Sequence, residues 1–406
     1  RMSDTPWLSI IGINEDGIAP VSEQAKQRLA EAEIILAPPR HLSHLHSIYH
    51  HPDAHIIPWP VPYQEGVEML QQFRGRKVLV LASGDPFHFG AATSLTASLS
   101  DTEWCCFPAL SCFSLMANAL GWPLEKTLQF GLHARPVEML QAALHPSARL
   151  FILLRDADGL RDLGVFLCEQ GYHHSICHIF SEMKSEMNTP TTMSAWQLET
   201  ASVQTPVCCA VELAGSPSGL PLSSGKPDEC FTHHGQITKQ PVRAISLASL
   251  APRPGEHLLD IGAGSGSVSV EWMLTHPTMR ATAIEMNPER VNLITENAAR
   301  FGCTSLEIIH GDIHQMLEEI PPADAIFIGG GASDRLIEAV WAQMKPHNRL
   351  VINAVTAQSE ALILRYYQRY GCNVMKIDLS DLTALGSKHG WKARYPITHW
   401  CVHKPE

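Results

Sequence analysis

The chain of 406 residues carries 30 Lys+Arg against 41 Asp+Glu, a formal net charge of −11, with 45% hydrophobic and 17% charged residues. That composition supplies large apolar cores and excludes a disordered chain. It also speaks against a protein whose main partner is nucleic acid or an anionic membrane, while leaving room for a small anionic substrate met by a local basic patch. At roughly 150 residues per domain the length implies two or three domains. No stretch approaches the roughly 18 apolar residues of a membrane span. The opening Arg1-Met2-Ser3-Asp4 lacks the apolar core of a signal peptide. The 11 cysteines show no paired CxxC spacing, and Cys105-Cys106 and Cys208-Cys209 fall inside apolar runs. Reduced, buried thiols in a cytoplasmic protein are expected.

In chain order, Trp7–Ile13 reads as a strand, and Pro20-Val21-Ser22 opens a helix with Ala25, Leu29 and Ala32 on one face. Further strands are expected at Glu33–Ala37, Lys77–Ala82, Trp104–Phe107, Leu150–Leu154, Ser175–Phe180 and Val207–Leu213. Helical patterns fall between most of them, which predicts α/β layers with largely parallel sheets. Asp156 and Asp158 are placed to cap the helix after Leu154. The Gly/Pro/Ser-rich run Ala214–Pro227 then breaks all periodicity and reads as a linker. Boundaries follow at 1–213, 214–235 and 236–406. After a helix near Pro241–Leu250 come strands at His257–Ile261, Ala281–Glu285, Ser305–His310, Ala323–Ile328 and Asn348–Ala354, with helices between them. Val374–Asp378 and Ile397–His403 close the chain as strands without an intervening helix.

The strongest motif starts where His257–Ile261 runs into Gly262-Ala263-Gly264-Ser265-Gly266, with a helix from Ser267. Glycines at a strand-to-helix turn let a ligand approach the backbone, and the helix start offers free N–H groups. Glu285 closes the next strand about 25 residues after Asp260, where an acid can hold a ribose diol. Asp312 and Ile313 follow the third strand and bring another acid and a backbone N–H to the same crevice. A dinucleotide fold favours G-x-G-x-x-G, whereas Gly262, Gly264 and Gly266 alternate. A dinucleotide site, an adenosyl-sulfonium site and an ordinary Gly-rich turn are the three readings of these residues. The fourth strand ends in Gly329-Gly330-Gly331, which offers no side chain to take a proton or hold an amine. That favours an electron-rich carbon as the acceptor, aligned rather than activated.

Asp260-x-Gly262-x-Gly264-x-Gly266, with Glu285 and Asp312 on successive strand ends, resembles the class I S-adenosylmethionine (SAM) methyltransferases, as does the antiparallel end of the chain. Upstream, Ser83-Gly84-Asp85-Pro86 follows a strand, Phe89-Gly90-Ala91-Ala92 opens a helix, and Pro108-Ala109-Leu110-Ser111-Cys112 and Gly131-Leu132-His133-Ala134-Arg135-Pro136 come later. With the loop Gly12–Gly17, this ordered set resembles the tetrapyrrole (class III) methyltransferases. Arg40-His41-Leu42 and the Gly131–Pro136 run look like its corrin C5-methylase branch. The second half, from Gln236-Ile237-Thr238-Lys239 onward, looks like the decarboxylating C15-methylases of cobalamin biosynthesis.

The resemblance implies a bilobal tetrapyrrole-methylase fold followed by a Rossmann-like class I methyltransferase domain with an antiparallel last strand. It implies SAM as cofactor and a carboxylate-rich tetrapyrrole as substrate. The first domain would methylate C5; the second would methylate C15 and decarboxylate an acetate at C12. A homo-oligomer is implied, with no nucleic-acid or membrane partner. Carried over by motif, the cofactor residues are Gly84, Asp85, Ala91, Ser111, Cys112 and Leu132, then Thr238, Gly262, Ala263, Gly264, Ser265, Gly266, Glu285, Asp312 and Ile313. Cys112 stands where the family usually has serine. The long connection 379–396 is expected as a loop capping the substrate, with Lys388, Lys392 and Arg394 on its carboxylates and Lys239 as a further cation. The group His41, His44, His46, His50, His51 and His55 has neither an H-E-x-x-H nor a Cys/His zinc spacing and reads as a polar surface, so no metal is expected. An RNA or protein methyltransferase with an N-terminal recognition domain, or a SAM-binding module without turnover, are the alternatives. The acidic balance disfavours RNA.

Overall fold

A computed structural model describes residues 5–48, 53–204, 207–215 and 219–406 of the chain. Two compact units emerge: Arg1–Val137 with His145–Ser218, and Glu138–Leu144 with Gly219–Glu406.

The first unit holds two five-stranded sheets. In one, β1 (Leu8–Ile13), β2 (Ile34–Ala37), β3 (His55–Pro58), β4 (Val78–Ser83) and β5 (Trp104–Phe107) run parallel in the order β3-β2-β4-β1-β5. All six residues of β1 are buried. Leu8 and Ile10 pack with Leu36 and Val80 on one face, while Ile11 and Ile13 pack with Leu29 and Leu79 on the other. Such a strand reads as a continuous apolar run because both of its faces are covered. Ser22 caps the helix Glu23–Glu31 by accepting from the Ala25 amide, and Ala25 and Leu29 form its buried face.

The other sheet has β6 (Leu128–Gly131), β7 (Arg149–Leu154), β8 (Ile176–Phe180), β9 (Thr191–Ser194) and β10 (Val207–Glu212), in the order β6-β7-β10-β8-β9. Only β6–β7 is parallel; β10 lies antiparallel to both β7 and β8. The expectation of largely parallel sheets therefore fails for this lobe. An apolar run reports burial and carries no direction, so Val207–Leu213 gave no sign that it inserts between two earlier strands. Strands β3, β6 and β9 lie at sheet edges with partly exposed residues, and no apolar run marks them. Asp156 caps the helix Ala157–Glu169 by accepting from the Gly159 amide, whereas Asp158 lies in its first turn.

The second unit is one seven-stranded sheet plus a hairpin. Its strands are β11 (His257–Ile261), β12 (Arg280–Glu285), β13 (Leu306–His310), β14 (Ala325–Ile328), β15 (Arg349–Ala354), β16 (Asn373–Ile377) and, after the hairpin strands β17 (Ser380–Leu385) and β18 (Lys388–Ala393), β19 (Ile397–His403). The order is β13-β12-β11-β14-β15-β19-β16, with β19 antiparallel to both neighbours. This is the expected Rossmann-like sheet with an antiparallel end. Leu258 faces a core with Trp272, Phe327 and Val351, while Leu259 and Ile261 face one with Ile337, Ile352 and Trp400. Strand order reverses between β11 and β14, and that switch point opens a crevice at the carboxyl ends of the strands.

Two findings correct the reading of the connections. Residues 379–396 are a hairpin and not an irregular loop: β17 and β18 pair from Ser380↔Ala393 to Leu385↔Lys388 around a turn opened by Gly386 at φ +60. The residues at 219–235 are no free linker either. The Gly225 and Lys226 amides donate to the Glu271 carboxylate at 2.9 and 3.1 Å. Arg243, fully buried, donates to Glu271 at 2.5 Å and to Asp228 at 3.0 Å. It also donates to the carbonyls of Lys226 and Thr238 and lies over the Phe231 ring.

Removing one partner of such a pair strands a buried charge. Glu271→Ala is therefore expected to destabilise the second unit by about 3–5 kcal/mol. Asp228→Asn, whose side chain is 21% exposed, should cost about 1 kcal/mol. Urea unfolding of the two variants beside the parent checks both.

Candidate functional site

In the second unit the switch point opens into a cavity of about 740 Å³. Thr238, Lys239, Gly262, Ala263, Gly264, Ser265, Glu285, Asp312, Ile313 and Arg394 all line it. Gly262 and Gly264 have φ of +67 and +62, and a Cβ at either would meet no atom closer than 3.5 Å. Packing does not demand glycine there; the left-handed backbone does, and a side chain would stand in the cavity. Gly266 differs. It lies behind the lining, where a Cβ would come within 2.9 Å of Ile294, and its φ of +76 starts the helix Ser267–Leu274.

Glu285, 3% exposed, uses both oxygens on backbone: one accepts from the Gly264 amide at 2.9 Å, the other from Asn287 at 3.0 Å. A carboxylate oxygen keeps further lone-pair capacity after one such bond, so Glu285 can still accept from a diol in the cavity. Asp312 caps the short turn Ile313–Gln315 by accepting from the His314 amide at 2.9 Å. Beneath the turn, Asp260 is 1% exposed and accepts from the Ser269 hydroxyl at 2.6 Å. Burial pushes its carboxyl up to about 6, with the Glu285 charge adding to the rise and Ser269 opposing it.

Two predicted cations do not reach this cavity. Lys388 and Lys392 stand exposed on the hairpin, away from the lining. Arg394 lies at the hairpin base, lines the cavity and forms a two-point pair with Asp381 at 2.6 and 2.7 Å. Position along the hairpin explains the split, since only the end that rejoins the sheet approaches the crevice. Unread in the sequence were Met286, Asn287, His314 and Asn353, which also line it.

The first unit has a second cavity of about 430 Å³, lined by Gly84, Asp85, Ala91, Ser111 and Cys112 among others. Leu132 is buried behind this lining, where its neighbour His133 stands instead. Ser111 caps the helix Cys112–Leu120 through the Ser114 amide, and Asp85 accepts from the Phe87 amide at 3.0 Å. Ser83 receives the Arg40 guanidinium and lies 2.9 Å from Nε2 of His41. Burial, reinforced by Arg40 and then His44, holds His41 down at about 3, so its ring is neutral at pH 7. Among the described residues no group of three or more His, Cys, Asp or Glu is arranged to hold a metal ion. His50 and His51 lie outside the described residues. All 11 cysteines are free thiols. Among the described residues no helix is long and apolar enough to cross a membrane.

Comparison with known proteins covers both units. A tetrapyrrole (corrin/porphyrin) methylase model matches residues 8–182, and a precorrin methyltransferase domain model matches residues 229–404. The chain is 40% identical over 399 residues to a precorrin-6Y C(5,15)-methyltransferase [decarboxylating] from a Sinorhizobium species, covering 98% of this chain and 96% of that relative. A protein of the same name from Mycobacterium tuberculosis is 32% identical over 401 residues, 98% of this chain and 100% of the relative. A cobalt-precorrin-6B C(15)-methyltransferase (decarboxylating) from Salmonella typhimurium is 34% identical over 186 residues, 44% of this chain and 96% of that protein.

Asp260 gives the site a pH signature. A carboxyl that titrates at 3.8 unfolded and at about 6 folded holds its proton more tightly in the folded state. It therefore subtracts stability as pH rises from about 4 to about 6, by about 3 kcal/mol in all. Asp260→Asn keeps an oxygen for Ser269 and cannot ionise. Its stability relative to the parent should rise across that window and stay level above it, measured by denaturant unfolding at stepped pH.

Proposed function

The chain belongs to the precorrin-6Y C5,15-methyltransferase (decarboxylating) family, and on that premise we propose that it methylates a precorrin macrocycle at C5 and C15 and removes a C12 acetate carboxyl as CO₂, with S-adenosylmethionine as methyl donor. C5 methylation is assigned to the first unit, and C15 methylation with decarboxylation to the second. The observation that carries this reading is the pair of cavities, one per unit, each built around a Gly-Asp or Gly-rich turn at strand ends.

The second cavity fits an adenosyl-sulfonium ligand on its own residues. Gly262 and Gly264 leave an open cradle, and Glu285 and Asp312 stand on adjacent strand ends. When bound, S-adenosylmethionine supplies an electrophilic methyl group. Glu285 would accept the ribose hydroxyls, Asp312 and the Ile313 amide would meet the base, and the Gly262–Ser265 backbone with Thr238 would hold the amino-acid end. In the first unit Gly84, Asp85, Ala91, Ser111, Cys112 and Leu132 form the corresponding set, with Leu132 acting from behind the wall.

The acceptor strand ends in Gly329-Gly330-Gly331, which brings no side-chain base to the reacting atom. Carbon nucleophiles suit that arrangement, and rate then comes from alignment in a partly apolar cavity. At C15 the macrocycle would give an electron pair to the methyl carbon as the carbon–sulfur bond breaks and its pair stays on sulfur in the departing thioether, and C15 would afterwards release its proton. At C12 the C–CO₂ bond breaks, its electron pair passes into the conjugated ring, and the former methylene takes up a proton. Proton release and uptake thus balance within the second unit, whereas C5 methylation in the first sheds one proton.

Permanent carboxylates of the substrate need local cations on a chain of net −11. Lys239 and Arg394 line the cavity while remaining 43% and 36% exposed, a rim position. Lys388 and Lys392 act from the hairpin outside it, on groups that overhang the mouth.

Incubation with methyl-labelled S-adenosylmethionine and a precorrin-6-type tetrapyrrole should give two methyl groups and one CO₂ per macrocycle; label on RNA or protein alone contradicts the reading. Glu285→Ala should abolish the C15 methyl and the CO₂ while the C5 methyl persists. Arg394→Ala should raise KM for the tetrapyrrole about tenfold, and Lys388→Ala with Lys392→Ala less than about threefold, because exposed charges contribute little.

A further inference from the structure

Asn353, one residue from the end of β15, is 7% exposed and borders the cavity of the second unit. It is the cross-strand partner of His399 on β19, and a chain of hydrogen bonds fixes its amide. His399 Nδ1 lies 2.7 Å from Asn353 Oδ1, and His399 Nε2 lies 2.8 Å from the Ser249 hydroxyl. On the other side Asn353 Nδ2 donates to the Ser246 hydroxyl oxygen at 2.9 Å. An amide oxygen only accepts, so His399 Nδ1 carries the proton and Nε2 accepts from Ser249. Burial lowers the proton affinity of His399, which is fully buried, and so keeps this single neutral tautomer. The direction of every bond from Ser249 to Ser246 is then set.

That direction leaves one group over. Asn353 Nδ2 has two hydrogens, one given to Ser246; among the described residues the other has no acceptor, and the residue faces the cavity. We infer that Asn353 donates this second N–H to the acetate carboxylate that the macrocycle loses as CO₂, with His399 as its positioning residue. The inference rests on the assignment of decarboxylation to the second unit.

Two observations select that carboxylate over the others. First, β15 pairs with β14 through Ile328↔Ile352, so Asn353 stands beside the Gly329 end where the reacting carbons meet the methyl donor. The cations Lys239 and Arg394 lie on the partly exposed rim instead, suited to carboxylates that persist. Second, the partner at this depth is neutral. Negative charge leaves the carboxylate as CO₂ departs, so a cation there would stabilise the ground state more than the transition state and slow the step. A neutral amide orients the group with a weaker hold on its charge.

Asn353→Asp is the discriminating variant. It is isosteric, still accepts from His399 Nδ1, and accepts from the Ser246 hydroxyl once that rotates, but it has no N–H to give and repels a carboxylate. The full chain is assayed for CO₂ release, C15 methyl and C5 methyl from a precorrin-6-type tetrapyrrole, with S-adenosylmethionine affinity measured by calorimetry. The expected result is a roughly 10- to 100-fold fall in kcat/KM for CO₂ release, with donor affinity within about twofold of the parent. Asn353→Ala should fall in the same direction. His399→Leu should lower kcat for CO₂ release at unchanged donor affinity, and His399→Gln, which can donate to Oδ1, should restore much of it. CO₂ release within about threefold of the parent in both Asn353 variants overturns the inference, as does a loss confined to donor affinity. A parent chain that transfers methyl groups yet releases no CO₂ overturns instead the assignment on which it stands.

Discussion

One carboxylate, that of Glu285, ties together the two turns that floor the larger cavity. Its oxygens accept from Gly264, in the turn after β11, and from Asn287, in the turn after β12. The turn is thereby held against β12 at three successive amides, since Gly262 and Ala263 donate to the Ile284 carbonyl at 2.9 and 3.2 Å and Gly264 to Glu285. The same charge also adds to the burial that raises the Asp260 carboxyl to about 6. The shape of the cradle and the position of an acid in the cavity wall thus share one origin. A second buried charge system stabilises the far wall. Arg243, Glu271 and Asp228 clamp the segment 225–239 so that Thr238 and Lys239 reach the cavity edge.

Electrostatics divide the sites by depth. The chain as a whole is acidic, yet the larger cavity has Lys239 and Arg394 at its rim; within, the carboxylates of Glu285 and Asp312 stand at the β12 and β13 ends, and the β14 and β15 ends offer only neutral amide, backbone and glycine surfaces. That gradient suits a polyanionic macrocycle whose outer carboxylates are held while one inner carboxylate must lose its charge. In the first unit the buried His41 is kept neutral beside Arg40, so Ser83 meets one cation and one neutral ring in place of two cations.

Sequence patterning disclosed the parts of this protein that are local. His257–Ile261, the alternating glycines, Glu285 and Asp312 are readable because strand, turn and acid follow one another within a single βαβ unit. Features that depend on non-local pairing were not readable. Asn353 and His399 are 46 residues apart, and only the antiparallel register of β15 and β19 makes them partners. Val207–Leu213 revealed its burial but not its reversed direction. The 379–396 segment has length and charge suited to a loop, yet it folds back on itself and carries Lys388 and Lys392 away from the cavity. Leu132 was one position from the residue that lines the smaller cavity, His133, because a motif match fixes a strand end but not which face its residues present.

The central claim is that each unit binds its own methyl donor. Calorimetric titration of the full chain with S-adenosylmethionine measures this directly. Two equivalents bound per chain, falling to one when Glu285 is replaced by alanine, is the result this account predicts. A single equivalent in the parent chain, or two that persist without the Glu285 carboxylate, would contradict it.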